Sequence, residues 1–171
     1  MSTLVESPAS TGGPPVTLRP EAPGDEPFLF TVFATTREEE LALTNWDEPM
    51  RLAFLQHQFH AMRLGYRTMY PAGDFSIVLL AGRPVGRLVL HRGPSEIRVV
   101  DVALLPAWRN QGIGTRLMRE ICREAAYAGK KVTLCVLQNN RALHWYARLG
   151  FTPAGPRGVY EELAWQPRPA V

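Results

Sequence analysis

Residues 97–117 read IRVVDVALLPAWRNQGIGTRL, and the reading of this stretch decides the fold. It opens as an apolar strand, breaks at Pro106, and passes through Arg109, Asn110, Gln111, Gly112, Ile113 and Gly114. Helical spacing begins at Thr115. A strand feeding a glycine-rich turn and then a helix start is a recurring way to hold a phosphate. Glycine lets the backbone approach, several N–H groups converge, and the helix N-terminus adds positive potential. Arg109 at the head of the loop adds a charged donor. A lone G-x-G also serves ordinary tight turns. Two phosphate motifs are excluded. The dinucleotide fingerprint wants a third glycine where Leu117 stands, and the P-loop string G-x-x-x-x-G-K-[ST] is absent.

What remains is R-x-x-G-x-G behind an apolar strand and a proline. Another string lies downstream: Asn139-Asn140-Arg141-Ala142-Leu143-His144-Trp145-Tyr146, closing with Leu149-Gly150-Phe151. The loop string resembles the acetyl-CoA-binding motif of the GNAT acetyltransferase superfamily. The downstream string is similar to that family's Asn-then-helix segment with A-x-x-x-Y and L-G-F. Each residue has a bland reading, since Asn139 or Asn140 suits a helix N-cap and Tyr146 suits a core. Their joint order, with one helix and one strand between them, favours the family.

The resemblance implies an α/β (α+β) fold, with a mixed central sheet of about six to seven strands flanked by about four helices. It implies that the amides of Gln111, Gly112, Ile113, Gly114 and Thr115, with Arg109 and Asn110, hold the pyrophosphate of acetyl-CoA. Backbone at Val102, Ala103 and Leu104 would pair with the pantetheine arm, and an Asn139 or Asn140 side chain would bond the same arm. Tyr146 would protonate the leaving thiolate, a role that suits a phenol protonated at neutral pH. The base is less defined. Some GNAT members place a glutamate on the strand after the loop helix, where VTLCVLQ has no acidic residue; others use one on the strand before the loop, where the resemblance offers Glu96 and Asp101. Asp101 is the odd residue of an apolar run, and a buried carboxylate is costly unless paired. It reads as a catalytic base or as a partner of a nearby arginine.

The rest of the chain bounds these expectations. Its 171 residues make one domain by length. A net charge of +3 with no basic run gives no case for a nucleic-acid partner. No apolar stretch is long enough to span a membrane, and no basic-then-apolar leader opens the chain, so the expected compartment is the cytoplasm. Cys122 and Cys135 sit in apolar periodic segments and read as reduced core thiols. His57 and His60 lie at i, i+3 without a third ligand, so no metal is expected. With Trp46, Tyr66 and Tyr70 they border the acceptor side of the resembled fold.

The expected domain covers residues 16–165, between a disordered tail at 1–15 and a ragged one at 166–171. In order we expect a strand at 16–19 and a helix from the Pro23-Gly24-Asp25 turn. A solvated charge run at 37–40 and a helix at 49–64 capped by Gly65 follow. Strands at 75–80 and 85–90 precede the central strand, and a helix leads from the loop to Gly129. A central strand at 131–137, a helix at 142–149 and a last strand at 159–165 complete the chain.

Three functions fit. The first is acetyl-CoA-dependent N-acyl transfer to a primary amine of a small molecule or peptide, by direct attack in a ternary complex. The second is a GNAT-fold acyl-CoA sensor or interaction module without turnover. The third is a nucleotide-binding protein of another fold. A homodimer is an arrangement the first reading allows.

Overall fold

The computed structural model describes residues 13–167; the outer parts of both expected tails, 1–12 and 168–171, lie outside the described residues. The elements run β1 (Val16–Pro20), α1 (Glu26–Thr35), α2 (Glu38–Ala42), α3 (Glu48–Met69), β2 (Asp74–Leu80), β3 (Arg83–Arg92), β4 (Glu96–Leu104), α4 (Ile113–Tyr127), β5 (Lys131–Leu137), α5 (Ala142–Arg148), β6 (Thr152–Arg157) and β7 (Tyr160–Trp165). The seven strands form one sheet in the order β1-β2-β3-β4-β5-β7-β6. Among the described residues only β4 and β5 pair in parallel, because α4 carries the chain back across the sheet between them.

The sheet has apolar residues on both faces, so helices must cover both. On one face α4 buries Ile113, Leu117, Met118, Ile121, Cys122 and Ala125 against Val78, Leu88, Leu90, Ile97, Val99 and Leu134. On the other, Leu29 and Phe33 of α1 and Phe59 of α3 close over Ile77. The Phe59 ring meets Phe30 edge-on at 5.4 Å and Phe33 at 5.7 Å.

Three elements depart from the sequence expectation. Helix α3 does not stop at Gly65 but runs to Met69, because Pro71 is the first residue that cannot continue it. Its start is firm, since Asp47 accepts from the Met50 N–H at 3.0 Å and Pro49 occupies the first turn. The charge run at 37–40 is mostly helical, drawn in by Leu41, which is buried in α2. Strand β6, TPAGPR, has no counterpart in the sequence expectation, because its two prolines argue against a strand. They are tolerated because β6 is an edge strand that pairs only with β7.

Strand β4 carries the feature that positions the site. Val89 faces Asp101 while Leu90 faces Val99, so Val100 is an extra residue, a β-bulge. Pairing of β4 with β5 runs from Glu96↔Lys131 to Val99↔Leu134 and ends there. Both strands continue, to Leu104 and to Leu137, without pairing to each other. The sheet is therefore split by a wedge that opens at the bulge, and the backbone at 101–104 faces it with no strand partner on that side.

Candidate active site

Four structural pieces meet at the wedge. The first is the loop at its open end. After β4 a tight turn at Pro106–Trp108 leads to Asn110, at φ 58°, and Gly112, at φ 79°. The left-handed conformation at Gly112 is one that L side chains rarely adopt, and it swings the chain into α4. A Cβ there would meet no protein atom within 4 Å, so the loop presents bare backbone to open space. The first bond inside α4 is Arg116 N–H to Gly112 O at 2.9 Å, which leaves the amides of Ile113, Gly114 and Thr115 without helical acceptors. An α-helix end of this kind favours an anion.

The second piece is the contact between α4 and α5. Gly114 lies under the Trp145 indole, and a Cβ would come within 3.3 Å of its Cζ2. Trp145 Nε1 donates to Thr115 Oγ1 at 3.0 Å. The second glycine of the motif is thus a packing glycine, whereas the first shapes the loop. Asn140 Oδ1 accepts from the Ala142 N–H at 2.8 Å and serves the start of α5, while Asn139 is exposed.

Tyr146 is the third piece. It is buried at 6% exposure, between the Trp145 ring at 4.6 Å and Phe151 at 5.6 Å. Burial, and after it the negative charge of Asp101, push its phenol up to about 12. The hydroxyl is therefore protonated throughout the neutral range.

The fourth piece is Asp101, one residue past the bulge. Arg87 Nη2 of β3 lies 2.7 Å from its Oδ2. Burial pushes the carboxyl above the ordinary carboxylate range, opposed first by the Arg87 guanidinium. Glu96 is not part of this group. It lies five residues up β4, roughly 16 Å away at ~3.3 Å per residue, at the paired end beside Lys131 Nζ at 3.5 Å.

Two placements are not readable in the sequence. Arg87 sits in an apolar strand as an isolated arginine, and its pairing with Asp101 needs the β3–β4 register. Arg109 does not extend into the loop's open side. Its Nε donates to Leu104 O at 2.8 Å and its Nη2 to Thr35 Oγ1 at 3.2 Å, tying the loop to the end of α1. Among the acceptor-side residues, Tyr66 packs toward Asp101 and Arg87 and is raised by burial. Tyr70 stacks on His91 at 5.3 Å, and His57 and His60 are exposed. Among the described residues no three metal-ligating side chains come together.

Comparison with known proteins agrees with this geometry. The family model described as acetyltransferase (GNAT) domain matches residues 71–153. No curated protein matches the chain in sequence. Solved structures share its fold at low identity. The PaiA N-acetyltransferase of Thermoplasma acidophilum, solved with coenzyme A, is 15% identical with a TM-score of 0.67, over 89% of this chain and 99% of that one. A GCN5-related N-acetyltransferase of Rhodopseudomonas palustris is 20% identical with a TM-score of 0.64, over 94% and 99%. An acetyltransferase of Thermus thermophilus is 17% identical with a TM-score of 0.63, over 88% and 96%. Split sheet, phosphate-type loop and domain match together define an acyltransferase. Residues 71–153 match the GNAT acetyltransferase domain, and the chain has the GNAT fold.

Proposed function

We propose that the protein transfers an acetyl group from acetyl-CoA to a primary amine, by direct attack of the amine in a ternary complex. The observation that carries this reading is the wedge. An unpaired length of β4 backbone, an anion-type loop at its open end and a buried tyrosine beside it are the parts that binding and cleaving an extended thioester needs.

Acetyl-CoA supplies the activated acyl group and a thiolate leaving group. The residues of this chain do the rest. Amides of Ile113, Gly114 and Thr115, with the loop backbone at 109–112, would receive the pyrophosphate. The backbone of Val102, Ala103 and Leu104 would pair with the pantetheine arm, completing the sheet with a non-protein strand. An N–H on this edge would also face the thioester oxygen and stabilise the charge that develops there. Asn139, exposed at the end of β5, is free to bond the arm, whereas Asn140 is engaged with α5. Tyr146 would give its proton to sulfur, and Asp101 would take one from the amine. A primary amine with a pKa near ~10 must lose a proton before it attacks, which is why a carboxyl raised by burial is useful there.

The released thiol makes the reaction easy to follow. Free thiol formed from acetyl-CoA on a panel of aliphatic, aromatic, amino-acid and peptidyl amines tests the reading, and stoichiometric acetylation of one class supports it. Binding of acetyl-CoA without release on any amine supports a sensor instead. Two unpaired cysteines agree with a reducing compartment, and we place the enzyme in the cytoplasm.

A further inference from the structure

Helix α5 is 7 residues long and ends at Arg148, whereas α4 runs for 15, to Tyr127. Their contact begins where Gly114 lies under Trp145, whose indole donates to Thr115. Residues four apart share one face of a helix. Gly114, Met118, Cys122 and Ala126 therefore form one row of α4, with Thr115, Arg119 and Arg123 in the row beside it. On α5 the row from Trp145 reaches Leu149, where the helix has already ended. No residue of α5 remains to cover the rest of the α4 row, and a groove of about 270 Å³ is left. Buried Met118 and Cys122 make its floor, and Ala126, Leu149 and Trp165 continue the apolar lining. Exposed Arg119 and Arg123 stand at its lip. The Trp165 indole is seated against Gly150, where a Cβ would come within 3.4 Å of it. None of these lining residues is part of the wedge, the loop or the groups proposed for proton transfer.

The groove has an apolar floor under a positive lip. Glu120 engages Arg123, whose Nη1 lies 2.6 Å from each of its carboxylate oxygens. Arg119 makes no ion pair among the described residues, so an anion is the complementary charge. The planar fork of a guanidinium matches a carboxylate. Burial pushes the Cys122 thiol up to about 11, which keeps the floor uncharged at neutral pH. Two sulfurs and an indole favour a flat aromatic body, because sulfur packs on ring edges and an indole stacks on offset rings. The volume lies just under the ~300–1,000 Å³ of ordinary ligand pockets, which suits a single ring system. We propose that this groove binds a small aromatic carboxylate, with its ring on Met118, Cys122 and Trp165 and its carboxylate on Arg119, and that its binding is coupled to that of acetyl-CoA through the α4–α5 contact. The coupling follows from position. Met118 is one helical turn, ~6 Å, past Gly114, and Leu149 is one turn past Trp145. A ring between them holds α5 down on α4 and keeps the loop in its receiving form. Binding of the carboxylate stands on the groove alone, whereas the coupling rests on the transferase reading.

Phenylacetate is the probe and phenylacetamide its uncharged match, and neither carries an amine to be acetylated. Nuclear magnetic resonance titration of the full chain reads the Trp165 indole N–H and the amides of residues 118–126. Phenylacetate should shift these signals saturably, with a Kd of about 0.1–1 mM for so small a ligand. Phenylacetamide should bind at least about tenfold more weakly, and so should phenylacetate to Arg119→Glu, an exposed change that leaves the fold intact. Ala126→Trp, which fills the groove from its exposed end, should abolish the shifts. Saturating phenylacetate should tighten acetyl-CoA binding by about fivefold, and acetyl-CoA should tighten phenylacetate by the same factor. Absence of saturation in the folded wild type up to ~20 mM overturns the proposal. Equal affinity for the amide, or for Arg119→Glu, overturns it as well. A dimer in sedimentation that Ala126→Trp dissociates gives the groove to a second copy and has the same consequence. Phenylacetate bound with acetyl-CoA affinity unchanged overturns the coupling. Failure of the wild type to bind acetyl-CoA at all sinks the transferase reading instead, and the phenylacetate shifts still decide the groove.

Discussion

The Trp145 indole rests on Gly114 so closely that any Cβ at that position would lie 3.3 Å from the ring. This one contact joins the two sequence strings that define the protein, because Gly114 ends the loop motif and Trp145 precedes Tyr146. Loop and tyrosine are thereby held at a fixed separation across the wedge. Gly114→Val should destabilise the fold by ~1–3 kcal/mol through overpacking. It should also weaken acetyl-CoA binding, because α5 must move for the side chain to fit. Thermal melts and Trp fluorescence check both effects together.

Gly112 answers to a different constraint. A Cβ at Gly112 meets no protein atom within 4 Å, so the melting temperature of Gly112→Asp should fall mainly by the small cost of a left-handed aspartate. The added carboxylate would stand where the pyrophosphate is received. Calorimetry should show acetyl-CoA binding abolished, and unchanged affinity would remove the loop from the site.

Asp101→Asn separates a catalytic role from a structural one. It leaves the Arg87 guanidinium buried beside a neutral amide, which costs ~3–5 kcal/mol when one partner of a buried pair is removed. If Asp101 is also the base, the acidic limb of the pH–rate profile flattens and turnover falls in protein that is still folded. A variant that loses only melting temperature makes Asp101 a structural partner of Arg87.

Tyr146→Phe keeps the ring that packs on Trp145 and Phe151 and removes the proton. Turnover should fall by roughly 10²–10⁴-fold with acetyl-CoA affinity nearly unchanged. With the phenol raised to about 12, no basic limb from Tyr146 should appear below pH 10. Turnover within twofold of the wild type, with chemistry rate-limiting, would show that Tyr146 is a core residue only.

Acid stability has its own reporter. The Arg19 guanidinium, and after it the Ala22 N–H, hold Asp25 at about 2 against an ordinary 3.8. A lowered carboxyl stabilises the fold above its unfolded pKa, and that stabilisation is lost as pH falls through the folded value. The melting temperature should therefore drop between pH 4 and pH 2, and Asp25→Asn should show a smaller drop over that interval.

How far the sequence can be read follows from where the information is local. The loop, α4 and α5 are legible because glycine spacing, capping asparagines and helical periodicity are set by neighbours in the chain. The sheet order beyond alternation is not, and β6 escapes because prolines forbid a strand everywhere except an edge. The Val100 bulge and the end of β4–β5 pairing are register facts, which no single strand encodes. For the same reason Asp101 is recognisable as an anomaly while its partner Arg87 is not. Arg109 reads as a ligand donor by its place in the motif, but its long side chain reaches back to Leu104 O and Thr35.

The central claim is that the wedge between β4 and β5 receives the acyl-CoA. A crystal structure of the protein grown with acetyl-CoA tests it directly. The account predicts pantetheine lying along β4 with hydrogen bonds to the backbone of residues 102–104, pyrophosphate on the amides of residues 113–115, and sulfur near Tyr146. Acetyl-CoA bound elsewhere, with the wedge closed by pairing of β4 to β5 beyond Val99 and Leu134, would contradict it.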